Sequence, residues 1–309
     1  MNAVRLRGLS CHTKELYFAS HRFRDVTNPS LTEAYDHCRK MATSHYENFP
    51  VGSVLIPGKL RKHFFALYAF MRTADDFADL PHRSSEERLK LLGEWRVKLH
   101  SIYENEQPSD PIFLALQDTI QKFNLAIQPF DLLLDAFEFD ARGDVRFETY
   151  DDLHWYTKRS AEPVGQLVLA LFGYRDEERI SCSNNICTAL QLINFLQDAR
   201  EDIANHRFYF PREDFTKFGI ARVEEIAISP RSRELIFFES DRIEQLLANG
   251  ATLPGRVSGR LRMELRAVLI GARKMLTKIR AMNGNTIEDR PKLSPMEKMQ
   301  MLVFSFKKS

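Results

Sequence analysis

Two acidic clusters in this 309-residue chain have the spacing of a metal-binding site, and each lies at the end of an apolar stretch. The first comprises Asp75 and Asp79, and the second comprises Asp198 and Asp202. Residues four apart share one face of a helix, so each pair of carboxylates can hold a hard divalent cation. Both clusters lack His and Cys, which argues against zinc. Because Mg²⁺ prefers oxygen ligands that it shares with a phosphate group, the two clusters predict chemistry on a diphosphate.

The second cluster continues a polar stripe on a helix that is otherwise apolar nearly all round. Gln191 and Asn194 precede Asp198 on the same face, and such a helix is normally buried. Burying amides and carboxylates is costly unless a partner compensates them. The alternative is that both clusters are solvated helix ends or form salt bridges with neighbouring arginines. A ligand site is the favoured interpretation because two separate helices carry the same arrangement.

The elements that must position these clusters are helices. Apolar residues at steps of three and four predict one helix over 59–80, which carries the first cluster, and another over 182–205, which carries the second. A third helix is predicted over 150–172, with a bend at Pro163 and Gly165. Further helices are predicted over 30–44, 84–105, 111–125, 129–140, 230–249 and 258–282, with a short apolar helix before Lys307.

Composition agrees with an all-α chain. Only 13 Gly and 13 Pro interrupt the elements, and no strand-like alternation persists. A balance of 44 basic against 42 acidic residues argues against a nucleic-acid partner, and 44% hydrophobic residues argue against disorder. The four cysteines are too widely spaced for a disulfide framework, which favours reduced thiols in the cytoplasm. We expect neither a signal peptide nor a membrane-spanning segment.

Three segments resemble motifs of the squalene/phytoene synthase family. Residues 67–79, LYAFMRTADDFAD, are similar to its first aspartate motif, and residues 191–211, QLINFLQDAREDIANHRFYFP, to its second. Residues 156–165, YTKRSAEPVG, resemble the kinked helix beside the prenyl tunnel. The resemblance implies one isoprenoid synthase domain over residues 30–285, an all-α helical bundle with a central apolar cavity. Residues 1–29 would form an N-terminal segment, and 286–309 a tail that packs on the domain or on a membrane.

The same resemblance implies a set of site residues. Several Mg²⁺ ions would bind the diphosphate through Asp75, Asp79, Asn194, Asp198 and Asp202. The four aspartates would be catalytic together with Tyr68 and Arg72. Substrate binding would involve Phe49, Tyr156, Gln191, Asn194, Arg207 and Tyr209, whose aromatic members can stabilise a carbocation.

Two departures from the family pattern favour the hopanoid branch. The string HYENFPV over 45–51 has Asn48 where many members have Ser, and Gln197 stands before Asp198 where Arg is usual. This chain is more similar to the hydroxysqualene synthase of that branch, which ionises and rearranges presqualene diphosphate and quenches the cation with water. No NADPH is expected. Losing the Ser and the Arg would weaken the hold on a second diphosphate, which is our hypothesis for this difference.

Two alternatives stay open. One is a head-to-head prenyltransferase that makes presqualene diphosphate, squalene, dehydrosqualene or phytoene from two prenyl diphosphates such as farnesyl diphosphate. The other is an inactive scaffold or assembly protein of the same fold, which intact aspartate clusters disfavour. The implied partners are the prenyl diphosphate, a sister synthase and a flavin-dependent reductase of the pathway. The expected location is the cytoplasm, with peripheral contact at the inner face of the membrane as an open alternative.

Several residues near the motifs have roles that the sequence does not determine uniquely. His45 and His154 are either proton shuttles or, as is commoner, hydrogen-bonded structural residues. Cys187 is expected to be a core residue. The residues whose roles the sequence leaves open are Asp76, Glu201, Lys158 and Arg159.

Overall fold

The structure, a computed structural model, describes residues 29–44, 55–143, 145–221, 231–286 and 289–305. These ranges contain thirteen α-helices and no strand apart from an isolated parallel bridge between Val145 and Arg207. The all-α prediction is confirmed. In chain order the helices are α1 (Leu31–Ser44), α2 (Gly58–Ala78), α3 (Ser85–Tyr103), α4 (Pro111–Phe123), α5 (Gln128–Arg142), α6 (Tyr150–Ser160), α7 (Glu162–Leu171), α8 (Glu177–Ala204), α9 (Arg212–Lys217), α10 (Ser232–Gly250), α11 (Leu253–Arg256), α12 (Gly259–Ala281) and α13 (Pro295–Ser305).

The helices match the periodicity of the sequence, with three informative differences. The stretch 150–172 is divided at Ala161, and Pro163 lies in the first turn of α7, where no N–H is needed. Helix α8 begins earlier than predicted because the Asp176 side chain caps it by accepting from the backbone N of Arg179. The short helices α9 and α11 were not predicted.

Helices α1 to α5 form one compact unit, the N-terminal unit, in which α2 packs against the other four helices. Phe70 of α2 is completely buried, and its ring stacks on Trp95 at 5.9 Å and meets Phe130 edge-on at 5.5 Å. Each large side chain buried in this way contributes about 2 kcal/mol. Since Arg72 and Asp75 lie on a different face of α2, this core fixes the face that carries the first acidic cluster.

Helices α6 to α13 form the second compact unit, the C-terminal unit, in which α8 packs against α6, α7, α10, α11 and α12. Gly165 of α7 permits a close approach, because a Cβ atom there would lie only 2.6 Å from Cys187 Sγ. The apolar faces of α8 are therefore held by its neighbours, and its polar stripe keeps a fixed direction within the unit.

The described part of the C-terminal tail packs on the body of the protein. Met301 of α13 is buried beside Gly271 of α12, and Lys278 pairs with Glu297 at 3.0 Å. Met296 and Met299 lie on the opposite, exposed side of α13. Among the described residues, no helix has both the length and the hydropathy that a bilayer crossing requires. The domain boundaries at 29/30 and 285/286 stay predictions.

Candidate active site

Arg72 organises the acidic cluster of α2. It is only 2% exposed; Nε and Nη2 donate to the Asp76 carboxylate at 3.1 and 2.7 Å, and Nη1 lies 3.9 Å from Asp75 Oδ2. Burial opposes the charge of the guanidinium, but Asp76 and Asp75 outweigh this effect and raise the pKa of Arg72. The sequence left the role of Asp76 open, and the structure shows that Asp76 forms a salt bridge with Arg72.

Tyr68, Asp75 and Asp79 lie along one side of α2. Tyr68 and Asp75 are buried, and burial raises the pKa of the Tyr68 hydroxyl to about 12. Asp79 follows the last residue of α2, and its backbone N donates to the carbonyl of Asp75 at 3.1 Å. The helical turn thus continues to Asp79 and keeps it on the side of Asp75.

Three of the four residues in the polar stripe of α8 are buried, as predicted, and Asp198 is half-buried. Gln191, Asn194 and Asp202 are 2%, 5% and 4% exposed. Within the part of the chain that the structure describes, Gln191 Nε2 and Asn194 Nδ2 have no hydrogen-bond partner. A buried donor without a partner costs about 1–3 kcal/mol. Two such donors on one helix face therefore point to an acceptor-rich ligand.

The donors of this stripe fit a magnesium-bound phosphate group. Amide N–H groups can donate to phosphate oxygens, and carboxylate oxygens are ligands that Mg²⁺ prefers. The described residues contain no group of three or more His, Cys, Asp or Glu side chains close enough together to hold a metal ion. Magnesium sites commonly complete their ligand shell with waters and substrate phosphates, so a few carboxylates are enough.

A tight turn after α8 returns the chain along the loop that precedes α6. His206 adopts a left-handed φ of 55°, and the backbone N of Arg207 donates to the carbonyl of Asp202 at 2.8 Å. The next residue, Phe208, donates from its backbone N to the carbonyl of Val145 at 2.9 Å. This parallel pairing determines where Tyr209 lies.

Tyr209 belongs to a buried aromatic cluster in the C-terminal unit. Its ring stacks on Phe195 of α8, with centroids 4.1 Å apart and planes 15° apart. Tyr156 of α6 lies 5.9 Å from Tyr209, and Phe147 lies 5.6 Å from Tyr156. Tyr156 and Tyr209 were predicted from the sequence as substrate-binding residues, whereas Phe147 and Phe195 were not. The position of Phe195 inside the second motif could have revealed it, whereas Phe147 carries no local signal.

The remaining predicted residues lie in different surroundings. His154 lies 3.6 Å from Glu162 and stacks on Tyr150, as expected of a structural histidine. Cys187 is buried, which raises the pKa of its thiol to about 12 and agrees with a core role. The guanidinium of Arg159 lies 4.0 Å from the ring of Trp155. Phe49 and His45 lie outside the described residues.

Known proteins match this chain over most of its length. The family model for squalene/phytoene synthase matches residues 42–297. The crystal structure of squalene synthase HpnC from Alicyclobacillus acidocaldarius is 36% identical, with a TM-score of 0.77, and the match covers 82% of this chain and 96% of that one. The crystal structure of a dehydrosqualene synthase is 24% identical, with a TM-score of 0.78, over 89% and 96% of the two chains.

Relatives found by sequence similarity belong to the same group of synthases. The presqualene diphosphate synthase of Rhodopseudomonas palustris is 32% identical over 178 residues, which are 58% of this chain and 63% of that protein. Phytoene synthase 1 of Solanum lycopersicum is 27% identical over 287 residues, 90% of this chain and 69% of that protein. The fold is the all-helical isoprenoid synthase fold, as the sequence predicted. The chain belongs to the squalene/phytoene synthase family.

Proposed function

We propose that this chain is a Mg²⁺-dependent hydroxysqualene synthase, which converts presqualene diphosphate and water into hydroxysqualene and diphosphate. Family membership supports a prenyl diphosphate substrate. The 36% identity to a protein described as squalene synthase HpnC supports assignment to the hopanoid branch of the family. The HYENFPV string and Gln197 support the same choice, because both depart from the pattern of the condensing members.

The observation that carries the proposal is the pair of buried amide donors on α8. Gln191 Nε2 and Asn194 Nδ2 have no partner among the described residues, and they share a helix face with Asp198 and Asp202. Donors and carboxylates on one face suit a diphosphate that arrives with its metal ions. A helix that only filled the core would carry apolar residues at these positions.

In this proposal each residue of the two clusters has a role at the diphosphate. Bound Mg²⁺ supplies charge neutralisation of the leaving diphosphate, which lowers the barrier to breaking its C–O bond. Gln191 and Asn194 donate hydrogen bonds to the oxygens of the leaving group, and Arg207 adds a charge-assisted one. Arg72 holds Asp76 and orients the cluster of α2. The metal ligands are Asp75, Asp79, Asn194, Asp198 and Asp202.

Ionisation would leave a carbocation whose charge the aromatic cluster can stabilise. The ring faces of Tyr156, Phe195 and Tyr209 each contribute about 0.5–2 kcal/mol by cation–π attraction. The C–O bond to the diphosphate breaks with its electron pair, the carbon skeleton rearranges, and a water oxygen bonds to the cation and releases a proton. No hydride donor takes part, so this reaction has no need of a nicotinamide cofactor.

Substrate feeding tests the proposal. We expect the purified protein with Mg²⁺ to convert presqualene diphosphate to hydroxysqualene and to leave farnesyl diphosphate untouched. Asp202→Asn should lower the rate at least about 100-fold, since it removes a ligand charge at the leaving group. Asp241→Asn is the matched control, because Asp241 is exposed on α10 and pairs with Arg280. Consumption of farnesyl diphosphate alone would contradict the proposal.

The second candidate is a presqualene diphosphate synthase that condenses two farnesyl diphosphates. It is favoured by the 32% identity to the Rhodopseudomonas palustris protein of that name. The same feeding experiment separates the two, because this candidate consumes farnesyl diphosphate and accumulates presqualene diphosphate.

Thermal unfolding distinguishes an enzyme from an inactive scaffold. We expect inorganic diphosphate at millimolar Mg²⁺ to raise the Tm, and either component alone to have a much smaller effect. Asp202→Asn should reduce this shift. An unchanged Tm with both components present would favour the scaffold.

A further inference from the structure

A segment near the C-terminus is attached to α8 at the second acidic cluster. We name residues 289–297 the C-terminal strap. Arg290 Nε donates to Asp198 Oδ1 at 2.7 Å, and Arg290 Nη2 lies 2.6 Å from the same oxygen. The neighbouring Gln197 donates from Nε2 to the carbonyl of Pro291 at 2.9 Å. Two adjacent residues of α8 thus hold two adjacent residues of the strap: Asp198 forms an ion pair with Arg290, and Gln197 donates to the backbone of Pro291.

The strap is anchored on α12 as well. Lys278 Nζ donates to the carbonyl of Lys292 at 2.6 Å and to Glu297 Oε2 at 3.0 Å. Glu297 in turn accepts from the backbone N of Ser294 at 2.7 Å, which forms the cap at the start of α13. With contacts at both ends, the strap has little freedom to shift along α8.

The attachment brings a positive charge to a largely buried carboxylate. The Asp198 side chain is 14% exposed and that of Arg290 is 38% exposed. The charge-assisted hydrogen bond from Nε and the ion-pair contact of Nη2 with the same oxygen restrict the rotation of the carboxylate. The Gln197 contact restricts the backbone from which Arg290 extends. Removing the Gln197 contact therefore loosens Arg290 and, through it, Asp198.

We propose that Gln197 is a positioning residue, which fixes the strap so that Arg290 orients Asp198 for binding of the metal–diphosphate. The proposal rests on the proposed function, since it takes Asp198 to be a metal ligand. It assigns a role to a position at which the chain departs from its family, where Gln stands in place of the usual Arg. A ligand that is held in its binding orientation loses less conformational entropy on binding.

Gln197→Met tests the proposal, because methionine keeps the length of glutamine and removes the donor. We expect hydrogen exchange in residues 289–297 of the metal-free protein to become about fivefold faster, with an unchanged Tm. Calorimetric affinity for inorganic diphosphate at saturating Mg²⁺ should fall about fivefold. Arg290→Gln, which alters a half-exposed side chain, should lower this affinity as well. Gln245→Met is the matched control, because Gln245 is exposed on α10 and its side-chain amide donates to Asn249 of the same helix.

The possible results separate this inference from the proposed function. Unchanged exchange over 289–297 in Gln197→Met would overturn the inference, and so would faster exchange with unaltered affinity for diphosphate. Faster exchange with weaker binding would support it, even if feeding then showed a product other than hydroxysqualene. A wild-type protein that binds no diphosphate in the presence of Mg²⁺ would contradict both.

Discussion

Arg72 shows how one buried residue can serve both stability and chemistry. Its guanidinium is enclosed by protein and compensated by Asp76 and Asp75, at 2.7 and 3.9 Å. Removing one partner of a buried ion group leaves the others without compensation, which costs more than the pair contributes when intact. The first acidic cluster therefore depends on a cation inside the protein before any metal ion binds.

Replacing Arg72 tests this dependence. Arg72→Met should lower the free energy of unfolding by about 3 kcal/mol, because Asp75 and Asp76 lose their buried counter-charge. Urea denaturation measures the change. Arg83→Met is the control: Arg83 pairs with Glu87 at 2.7 Å, but both side chains are about half exposed, and we expect a loss under about 0.5 kcal/mol. Equal losses in the two variants would show that burial of Arg72 contributes nothing.

The aromatic cluster gives a second prediction at this scale. Tyr209→Leu removes a ring face from the carbocation and should slow single-turnover ionisation about 3- to 30-fold, whereas Tyr209→Phe should stay close to wild type. Rapid-quench measurement of diphosphate release reports this step. Phe210→Leu controls for general loosening of the segment, since Phe210 packs on Phe215 instead. A slow Tyr209→Phe would assign the effect to the hydroxyl and contradict the cation–π role.

Residue spacing and motif resemblance predicted the candidate site residues that lie within motifs. The α8 stripe was predicted from its spacing and Tyr209 from the family resemblance, and Gln191, Asn194 and Asp202 of the stripe are buried as expected. Arg290 was not predicted, because it pairs with Asp198 across 92 residues of sequence. Phe147 was missed for the same reason, since only tertiary packing brings its ring within 6.1 Å of Tyr209. Local patterns carry no information on such contacts.

At the scale of elements, apolar periodicity located the long helices but not their caps or their division. A bend at Pro163 and Gly165 inside one helix was expected, whereas the structure divides the stretch into two helices at Ala161. The early start of α8 follows from the Asp176 cap. The close packing of α7 on α8 could not be predicted, because it depends on small side chains at Gly165 and Ser183 in different helices.

Gly165→Ala tests this packing. The added methyl group would overlap with Ser183 and Cys187, and we expect a loss of about 1–3 kcal/mol in the free energy of unfolding. Gly93→Ala is the matched control: it lies inside α3 with nothing within 4 Å of its added Cβ, so helix propensity should stabilise the protein by about 0.5–1 kcal/mol. Thermal and urea unfolding measure both. Stabilisation by Gly165→Ala would show that α7 and α8 are less closely packed than described.

At the scale of the whole molecule, composition and periodicity predicted the all-α fold class. The packing within each of the two units could not be predicted in this way. The N-terminal unit is tied together by a buried polar network as well as by its aromatic core. Tyr35 Oη lies 2.9 Å from His63 Nδ1 and donates to Asp118 at 2.5 Å. These contacts join α1, α2 and α4. Nothing in the sequence distinguished His63 from a surface histidine.

The network predicts how stability depends on pH. Burial, reinforced by Lys62 and Lys122, lowers the pKa of His63 to about 4 from an ordinary value of 6.5. Between about pH 6.5 and pH 4, His63 is protonated in the unfolded chain but stays neutral in the folded protein. The free energy of unfolding therefore falls as the pH drops through this range. At about 1.4 kcal/mol for each pH unit, the expected loss over this range is about 3 kcal/mol. Urea unfolding should show a shallower pH slope in His63→Gln than in wild type, whereas identical slopes would contradict the shift.

Water is the predicted source of the hydroxyl oxygen in the product. Presqualene diphosphate and Mg²⁺ are supplied to the enzyme in water enriched in oxygen-18, and the product is analysed by mass spectrometry. Quenching by water requires hydroxysqualene that carries the heavy isotope in its hydroxyl group, in step with the diphosphate released. A hydrocarbon product, or an alcohol that retains the unlabelled oxygen of the substrate, would contradict the account.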